Sequence, residues 1–429
     1  MNPTTPPSSP SRAPSLAGGE WLEKASTQRV LSVLEAAGFS SRVVGGAIRN
    51  AILGRPVRDL DIATVARPKE ILSIAAKADL KAIPTGLAHG TVTIVSDGEP
   101  IEVTTLRTDV EAHGRHATVA FTSDWVADAQ RRDFTMNAIY CDASGVIFDP
   151  VGGYEDALSG RVRFIGDPDA RIREDYLRIL RFFRIFAEYA DEDIDAFGRD
   201  ACIRERCGLR ALSAERIQQE LTKLLVAPRA YDAVCLLVDY GLMGEILPAV
   251  PHLARYERLL KVAVPATSAV RLGMLTLEGK DDVERIADRL KLSKRCRKEM
   301  DIVARALGAK SSPSLLDAKR WLYEHGEAGF AIWIAVAQAR SPIAKIDTDW
   351  ETINALPNAW SPPVFPLTGA DALALGAREG PSVGQALREI EEMWIASDFA
   401  MPEPELRAAL AAKLNNRSQG TEVSAGLLN

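Results

Sequence analysis

The chain has 429 residues, 47% hydrophobic and 26% charged, a globular composition with apolar material for about two to four separate cores. Its formal net charge of −6 excludes bulk attraction to nucleic acid, so any such binding must use local basic clusters. Five scattered cysteines (Cys141, Cys202, Cys207, Cys235 and Cys296) never form CxxC, which argues against a disulfide framework or zinc site, and no apolar run approaches the roughly 18 residues of a membrane span.

In chain order, residues 1–20 are rich in Pro and Ser, lack the apolar stretch of a secretory signal and read as a disordered tail. From Trp21 onward helical and strand-like stretches alternate. TQRVLSVLEAAG has helical spacing and a glycine stop, RVVGG is a short strand entering a glycine turn, and AIRNAILG is a short helix closed by Gly54. VRDLDIAT alternates with period two, PKEILSIAAKAD is helical, and GTVTIV and PIEVTTLR read as strands. Beyond residue 165 the pattern turns almost wholly helical, broken at Pro228, Gly241, Pro251 and Pro313, with PNAWSPPVFPLTG as a proline-rich loop. The expected class is α+β, with a mixed-sheet α/β head over 21–165, a helical neck over 166–230 and a helical body and tail over 231–429. The scattered thiols and the lack of a span place it in the cytoplasm, with no membrane partner.

Within VRDLDIAT, Asp59 and Asp61 stand at i and i+2. In a strand that puts both carboxylates on one face about 6.6 Å apart, with Leu60 and Ile62 on the other. Two carboxylates so placed repel and need a counter-charge. Arg58 and solvent supply one, the ordinary answer for an isolated DxD. A divalent cation supplies another, since Mg²⁺ takes carboxylate oxygens and keeps water or phosphate in its other positions. The preceding VVGGAIRN favours the cation. Gly45 and Gly46 permit a tight turn and close approach of a phosphate, the helix that follows presents free N–H groups, and Arg49 lies one turn in. Glu102 of PIEVTTLR is either a third carboxylate from a neighbouring strand or an edge-strand charge. Three carboxylates holding two cations suit in-line attack of a hydroxyl on an α-phosphate, one ion activating the nucleophile and the other steadying the leaving pyrophosphate.

The segments GGAIRNAILGRPVRDLDIAT, HGTVTI, EVTTLR, RRDFTMNAIY, DPVGGYEDALSGRVRFIGDP and REDYLRILRFFRI occur in this order. Together they resemble the bacterial tRNA nucleotidyltransferase and poly(A) polymerase family, the class II branch of the nucleotidyltransferase superfamily. The resemblance spans about residues 42–230. It implies a nucleotidyltransferase head followed by helical neck, body and tail, the last two binding tRNA. It also implies addition of CCA, or part of it, to tRNA 3′ ends from CTP and ATP, with Mg²⁺ and no nucleic-acid template. Carried over motif by motif, it implies Asp59 and Asp61 as metal ligands and Gly46 and Arg49 as triphosphate contacts. Arg132, Asp133 and Asn137 then touch sugar and phosphates, Glu174, Asp175 and Arg178 read the base, and Arg181 and Arg184 follow as further nucleotide contacts.

The base-reading role also has a physical argument. Read as one helix, EDYLRILRFFR makes Asp175 and Arg178 neighbours at i, i+3, with Glu174 reaching Arg178 at i, i+4. Cytosine and adenine each present an amino donor beside a ring-nitrogen acceptor; a carboxylate accepts from the first and an arginine donates to the second. Uracil and guanine reverse the pattern. The bland alternative is a helix laced by ordinary ion pairs. SAERIQQELTKLL reads as an amphipathic helix and resembles the family's neck motif, which implies support for the base-reading helix rather than chemistry, and DPVGGYEDAL reads as a turn with a helix cap. RTDVEAHGRHATVAF, with His113, Arg115 and His116, resembles the family's mobile loop and favours full CCA addition; KLSKRCRKEM is a phosphate-binding patch or a solvated face. Neither GxxxxGK[ST] nor GxGxxG occurs, which removes P-loop and dinucleotide folds. The alternatives left open are an A-adding, CC-adding or poly(A)-adding relative and a non-catalytic RNA-binding one.

Overall fold

Among the described residues, short apolar runs punctuated by glycine form nine strands: β1 (Ser41–Val44), β2 (Asp61–Thr64), β3 (Lys81–Gly86), β4 (Thr91–Ser96), β5 (Glu99–Thr105), β6 (Arg107–Glu111), β7 (Thr118–Phe121), β8 (Tyr140–Cys141) and β9 (Ile147–Phe148). They belong to a computed structural model that describes residues 15–111, 118–310, 312–340, 349–377 and 380–425. Seven of the strands form one sheet in the order β3-β4-β5-β2-β1-β8-β9, and β6 and β7 form a separate ribbon. The sheet is mixed as expected, because β2 and β5 run parallel while the other neighbours are antiparallel. In β2, Ile62, Ala63 and Thr64 are all buried, so this central strand is covered on both faces.

After a single-turn helix α1 (Glu20–Glu23), helices α2 (Ala25–Ala36), α3 (Gly46–Ile52) and α4 (Pro68–Lys77) follow the sequence pattern closely. Val30, Leu31 and Leu34 of α2 and Ile71 and Ala75 of α4 are fully buried on the head. Pro68 opens α4, and the Glu70 carboxylate accepts from the Arg67 backbone N–H at 2.7 Å, a side chain satisfying an N-terminal donor. The Pro/Ser-rich tail requires a correction at its end. Residues 15–20 are ordered, with Ser15 bridging Val146 and the Leu16 N–H donating to the Gly145 carbonyl at 2.8 Å. Backbone pairing to the 142–146 turn replaces the apolar burial that this composition lacks. Residues 1–14 of the tail, and His113, Arg115 and His116 of the loop, lie outside the described residues.

Helices α5 (Trp125–Gln130) and α6 (Gly153–Leu158) close the head. The Asp149 carboxylate caps α6, accepting from the Gly153 and Tyr154 N–H groups at 2.9 Å each. A Cβ on Gly153 would stand 2.0 Å from the Thr135 carbonyl oxygen, so Gly153→Ala must push backbone apart. We expect it to destabilise the protein by about 2–3 kcal/mol, read as a lowered Tm by calorimetry; an unchanged Tm would contradict this packing.

Behind the head come α7 (Pro168–Glu174), α8 (Leu177–Tyr189), α9 (Ala196–Arg204) and α10 (Ala214–Leu225). EDYLRILRFFR is therefore not one helix: Asp175 adopts an extended φ of −157° and ψ of 104° between α7 and α8. Its side chain accepts from the Leu177 N–H at 3.1 Å, the local capping bond by which aspartate competes with helix continuation. An aromatic run joins α8 to the head, with Phe134 and Phe164 centroids 4.9 Å apart and Phe164 stacked on Phe182 at 5.2 Å. On its other side α8 packs against α10, whose Ile217, Leu221 and Leu224 are buried.

The first compact unit runs through Pro251 and includes Ile286–Leu292, and the second holds His252–Arg285 and the chain from Ser293. In the second unit a helix over Leu315–Arg340 kinks at Gly326 and buries Phe330 and Trp333. A further cluster gathers Leu367, Ala372, Val383, Ala386, Ile390, Trp394, Leu406 and Leu410. In KLSKRCRKEM, Arg295 pairs with Glu299 at 3.1 Å and Arg297 with Glu284, so part of that patch is already neutralised. Among the described residues no helix is long and apolar enough to cross a membrane.

Candidate active site

The acidic pair differs from expectation in one respect. Asp61 opens β2, but Asp59 lies in the segment leading into it; both are exposed. The reason is the ladder: Val44, the last residue of β1, is the partner of Asp61, and the chain turns away at Gly45 with φ +79°. Residues before Asp61 thus have no β1 partner. On the other side Asp61 registers with Glu102 of parallel β5, which sets two carboxylates side by side at about 4.8 Å spacing on one face. The Asp61 carboxyl is pushed up to about 6 by burial of its surroundings and by Glu102 and Asp59, with Arg132 opposing. Like charges this close disfavour ionisation. Among the described residues no three acidic, His or Cys side chains close into a metal cage. An open carboxylate pair nevertheless suits Mg²⁺, which is commonly held by one or two carboxylates and completed by water and substrate phosphates.

Two adjoining clefts meet here. Asp59 and Asp61 line one of about 490 Å³ together with Gly46, Arg49, Arg55, Arg58 and Tyr189. The second, of about 390 Å³, shares Gly46, Arg49 and Asp61 and adds Gly45, Arg132, Asp133, Asn137, Asp175, Arg178, Arg181 and Arg184. Residues from four separate sequence motifs thus converge on one hollow. Glu174 is not in the lining; it stands behind and pairs with Arg178 at 2.5 Å, the i, i+4 contact expected.

A continuous polar strip crosses the floor. Arg49 is buried, stacks on the Tyr189 ring at 3.7 Å and donates to its hydroxyl at 2.7 Å. It also donates to Asn137 Oδ1. Asn137 Nδ2 in turn donates to Asp133 Oδ1 at 3.2 Å, and Asp133 pairs with Arg181 at 2.7 Å. RRDFTMNA folds as a single 3₁₀ turn over Thr135–Asn137 with Phe134 as its cap. Burial works against ionisation of Asp133, but the Arg181 guanidinium and the Asn137 and Phe134 hydrogen bonds bring its carboxyl below the ordinary range.

The Asp175 and Arg178 side chains line one cleft without bonding to each other, although the Arg178 backbone N–H donates to the Asp175 carbonyl at 3.0 Å. Arg178 donates to the Arg171 carbonyl at 2.8 Å, to Glu174 and to the Arg131 carbonyl at 3.2 Å. Asp175 Oδ2 accepts from Arg216 of α10 at 2.6 Å. Arg184 donates to Glu220 at 2.5 Å and to Glu188 at 3.2 Å.

Four participants were not singled out from sequence: Asp128, Tyr189, Arg216 and Glu220. Asp128 is 1% exposed and gathers Arg131 at 2.7 Å, Arg132 at 2.9 Å and the Tyr140 hydroxyl at 2.8 Å. Burial opposes its ionisation, yet Arg132 and Arg131 hold it at about 2. Arg216 and Glu220 sat in view in SAERIQQE at i, i+4, a spacing that marks a shared helix face; what they face was not legible.

Comparison with known proteins bears on the chemistry. Residues 41–163 match the family described as the poly A polymerase head domain, and 199–253 match the probable RNA and SrmB-binding site of polymerase A. The chain is 34% identical over 388 residues to the mitochondrial CCA tRNA nucleotidyltransferase 1 of Danio rerio, covering 87% of each. It is 41% identical over 231 residues to the CCA-adding enzyme of Geobacillus thermodenitrificans, covering 53% of this chain and 56% of that one. The crystal structure of the Bacillus stearothermophilus CCA-adding enzyme in complex with CTP aligns with a TM-score of 0.73 at 28% identity, over 92% of this chain and 98% of that one.

Proposed function

We propose a mechanism for this chain, which belongs to the family of CCA-adding tRNA nucleotidyltransferases and poly(A) polymerases, that starts from the junction of its two clefts at Asp61. The protein is a CCA tRNA nucleotidyltransferase. It adds C, C and then A to tRNA 3′ ends from CTP and ATP without a nucleic-acid template, and releases pyrophosphate. The observation that carries the mechanism is one hollow lined by Asp61 of the head and by Asp175 and Arg178 beyond it. We place the chain in the class II branch, divide it into head, neck, and body with tail, and locate it in the cytoplasm. The near full-length match to the B. stearothermophilus enzyme and the helical composition after the head support the branch and the division into head, neck, and body with tail.

In this reading the tRNA 3′ hydroxyl displaces pyrophosphate from the α-phosphate beside Asp61. Asp59 and Asp61 would hold Mg²⁺, with Glu102 beside them, and an ion bound there would supply polarisation of the phosphoryl oxygens and easier ionisation of the attacking hydroxyl. Gly45, Gly46 and Arg49 receive the triphosphate; Arg132, Asp133 and Asn137 hold ribose and phosphate; Arg181 and Arg184 complete the charged wall. Asp175 accepts from the amino group that cytosine and adenine share, Arg178 donates to the neighbouring ring nitrogen, and Glu174 fixes Arg178.

The test of output offers purified protein three tRNAs, ending before the first C, after C and after CC, with labelled CTP or ATP. Two C, one A and then a stop are expected. Unlimited A addition would mark a poly(A)-adding enzyme, and C-only or A-only output a specialised relative.

The raised Asp61 carboxyl predicts a pH dependence. Cation binding needs the carboxylate, so Mg²⁺ affinity is full well above pH 6 and falls by about tenfold per unit as pH drops below it. Without the ion, a raised pKa means that the fold opposes ionisation, so stability declines as pH rises through about 6 and Mg²⁺ restores it. Calorimetric Mg²⁺ titrations at pH 5 and 7.5 measure this; equal affinities would contradict it.

A further inference from the structure

Five arginines line the second cleft: Arg49, Arg132, Arg178, Arg181 and Arg184. Four of them are already matched to carboxylates, Arg132 to Asp128 at 2.9 Å, Arg178 to Glu174 at 2.5 Å, Arg181 to Asp133 at 2.7 Å and Arg184 to Glu220 at 2.5 Å. Arg49 is the exception. It is 7% exposed, yet among the described residues its hydrogen bonds go to neutral groups alone: Asn137 Oδ1, Asn50 Oδ1 at 3.3 Å and the Tyr189 hydroxyl at 2.7 Å. Its Nε is buried without an acceptor. A buried guanidinium with no anion beside it is unfavourable, and an arriving anion removes that penalty.

What holds this charge in place is the far end of α8. Asp175 lies just before that helix and Tyr189 closes it, 13 residues spanning about 20 Å. The Arg49 guanidinium stacks 3.7 Å from the Tyr189 ring centroid, an attraction to the ring face that strengthens out of water and leaves the cation's charge in place. The Tyr189 hydroxyl donates in turn to Glu188 Oε1 at 2.9 Å, which makes its oxygen the better acceptor for Arg49. Arg55 also lies over this ring at 4.8 Å and donates to the Glu188 carbonyl at 2.6 Å, so a second head residue fixes the end of α8. Burial raises the Tyr189 phenol above its ordinary range; the hydroxyl stays protonated and the cradle stays neutral.

We propose that Tyr189 is a positioning residue for the nucleotide's triphosphate: its ring and hydroxyl keep the Arg49 guanidinium aimed into the cleft, with its charge left for the phosphates. Tyr189 therefore acts on phosphate affinity and not on which base is chosen. Without the ring the guanidinium is free to swing onto Glu188, whose carboxylate would neutralise it. The inference rests on the reading of Arg49 as a triphosphate contact.

The experiment measures kcat and KM for CTP and for tRNA lacking its CCA end, and inhibition by inorganic tripolyphosphate, in the full-length parent protein and in Tyr189→Leu and Tyr189→Phe. For Tyr189→Leu the KM for CTP and the tripolyphosphate inhibition constant are expected to rise together by about tenfold, with the KM for tRNA and the CTP-to-UTP ratio unchanged. Tyr189→Phe keeps the ring and loses the hydroxyl, so both constants should rise only about threefold. A merely structural Tyr189 would lower kcat or raise the KM for tRNA while tripolyphosphate inhibition stays at the parent value, and that result would overturn the proposal. If Tyr189→Leu does not fold, Tyr189→Phe decides: parent values for both constants overturn it as well. Arg49→Met separates the two levels. A weakened response to CTP and tripolyphosphate in Arg49→Met but not in the Tyr189 variants sinks only the present inference, whereas parent values in Arg49→Met sink the triphosphate assignment of Arg49 itself. In the double variant, tripolyphosphate inhibition no weaker than in Arg49→Met alone is the expected signature of action through Arg49.

Discussion

Asp61→Asn is expected to lower kcat for nucleotide addition by about a hundredfold to a thousandfold, without lowering the stability of the metal-free protein. The two effects have one origin. Asp61 sits beside Glu102 in register and near Asp59, and its carboxyl is pushed up to about 6. An amide in its place relieves like-charge repulsion in the folded state, so the metal-free variant should melt at or above the parent temperature. In the proposed mechanism the same change removes a carboxylate that would hold a cation against the α-phosphate, and losing one preorganised electrostatic contact to a transition state costs about 10²–10³ in rate. Together these give an inactive enzyme that is no less stable. Single-turnover addition of CMP to tRNA, with calorimetry in parallel, measures both. Full-speed addition by the variant would remove Asp61 from the chemistry, and a large drop in Tm would assign it a structural role instead.

Asp175→Ala is the second large effect. The parent should favour CTP over UTP strongly, because uracil sets a carbonyl oxygen against a carboxylate that already accepts from Arg216 and from the Leu177 N–H. An unsatisfied or opposed polar group in a shielded site costs about 1–3 kcal/mol, more when charged. Removing the carboxylate lifts that penalty and also deletes the contact to the cytosine amine, so discrimination should fall by about a hundredfold. Overall activity with CTP falls as well, yet Arg178 stays in place through Glu174 and two carbonyls. Competition between labelled CTP and UTP on one tRNA reads the ratio directly; an unchanged ratio would mean that the base is read elsewhere.

Much of this site was legible because its signals are local. The glycine pair, the alternation around Asp61 and the charged residues of EDYLR each follow from positions a few residues apart. The mixed sheet and the helical region behind it follow from the change in periodicity near residue 165. At the site, two local expectations failed for reasons visible only in three dimensions. Asp59 leaves the strand because β1 ends opposite Asp61, and one strand cannot reveal where its partner stops. EDYLRILRFFR breaks at Asp175, whose carboxylate accepts from the Leu177 N–H; an apolar period continuing through the break hid it. Arg216 and Asp175 are separated by 41 residues, and periodicity places Arg216 on a face without saying what that face meets. Asp128 looked like one more charge ahead of RRD until burial showed it among Arg131, Arg132 and Tyr140.

The central claim is that acidic side chains in the head grip magnesium while Asp175 and Arg178, beyond them, stand in for a complementary base. A crystal structure of the protein with CTP and Mg²⁺ tests it most directly. The account predicts density for the ion against Asp61, the α-phosphate beside it, the cytosine amine on the Asp175 carboxylate and the ring nitrogen facing Arg178. A triphosphate docked away from Asp61, or a base stacked outside the cleft that Asp175 lines, would contradict it.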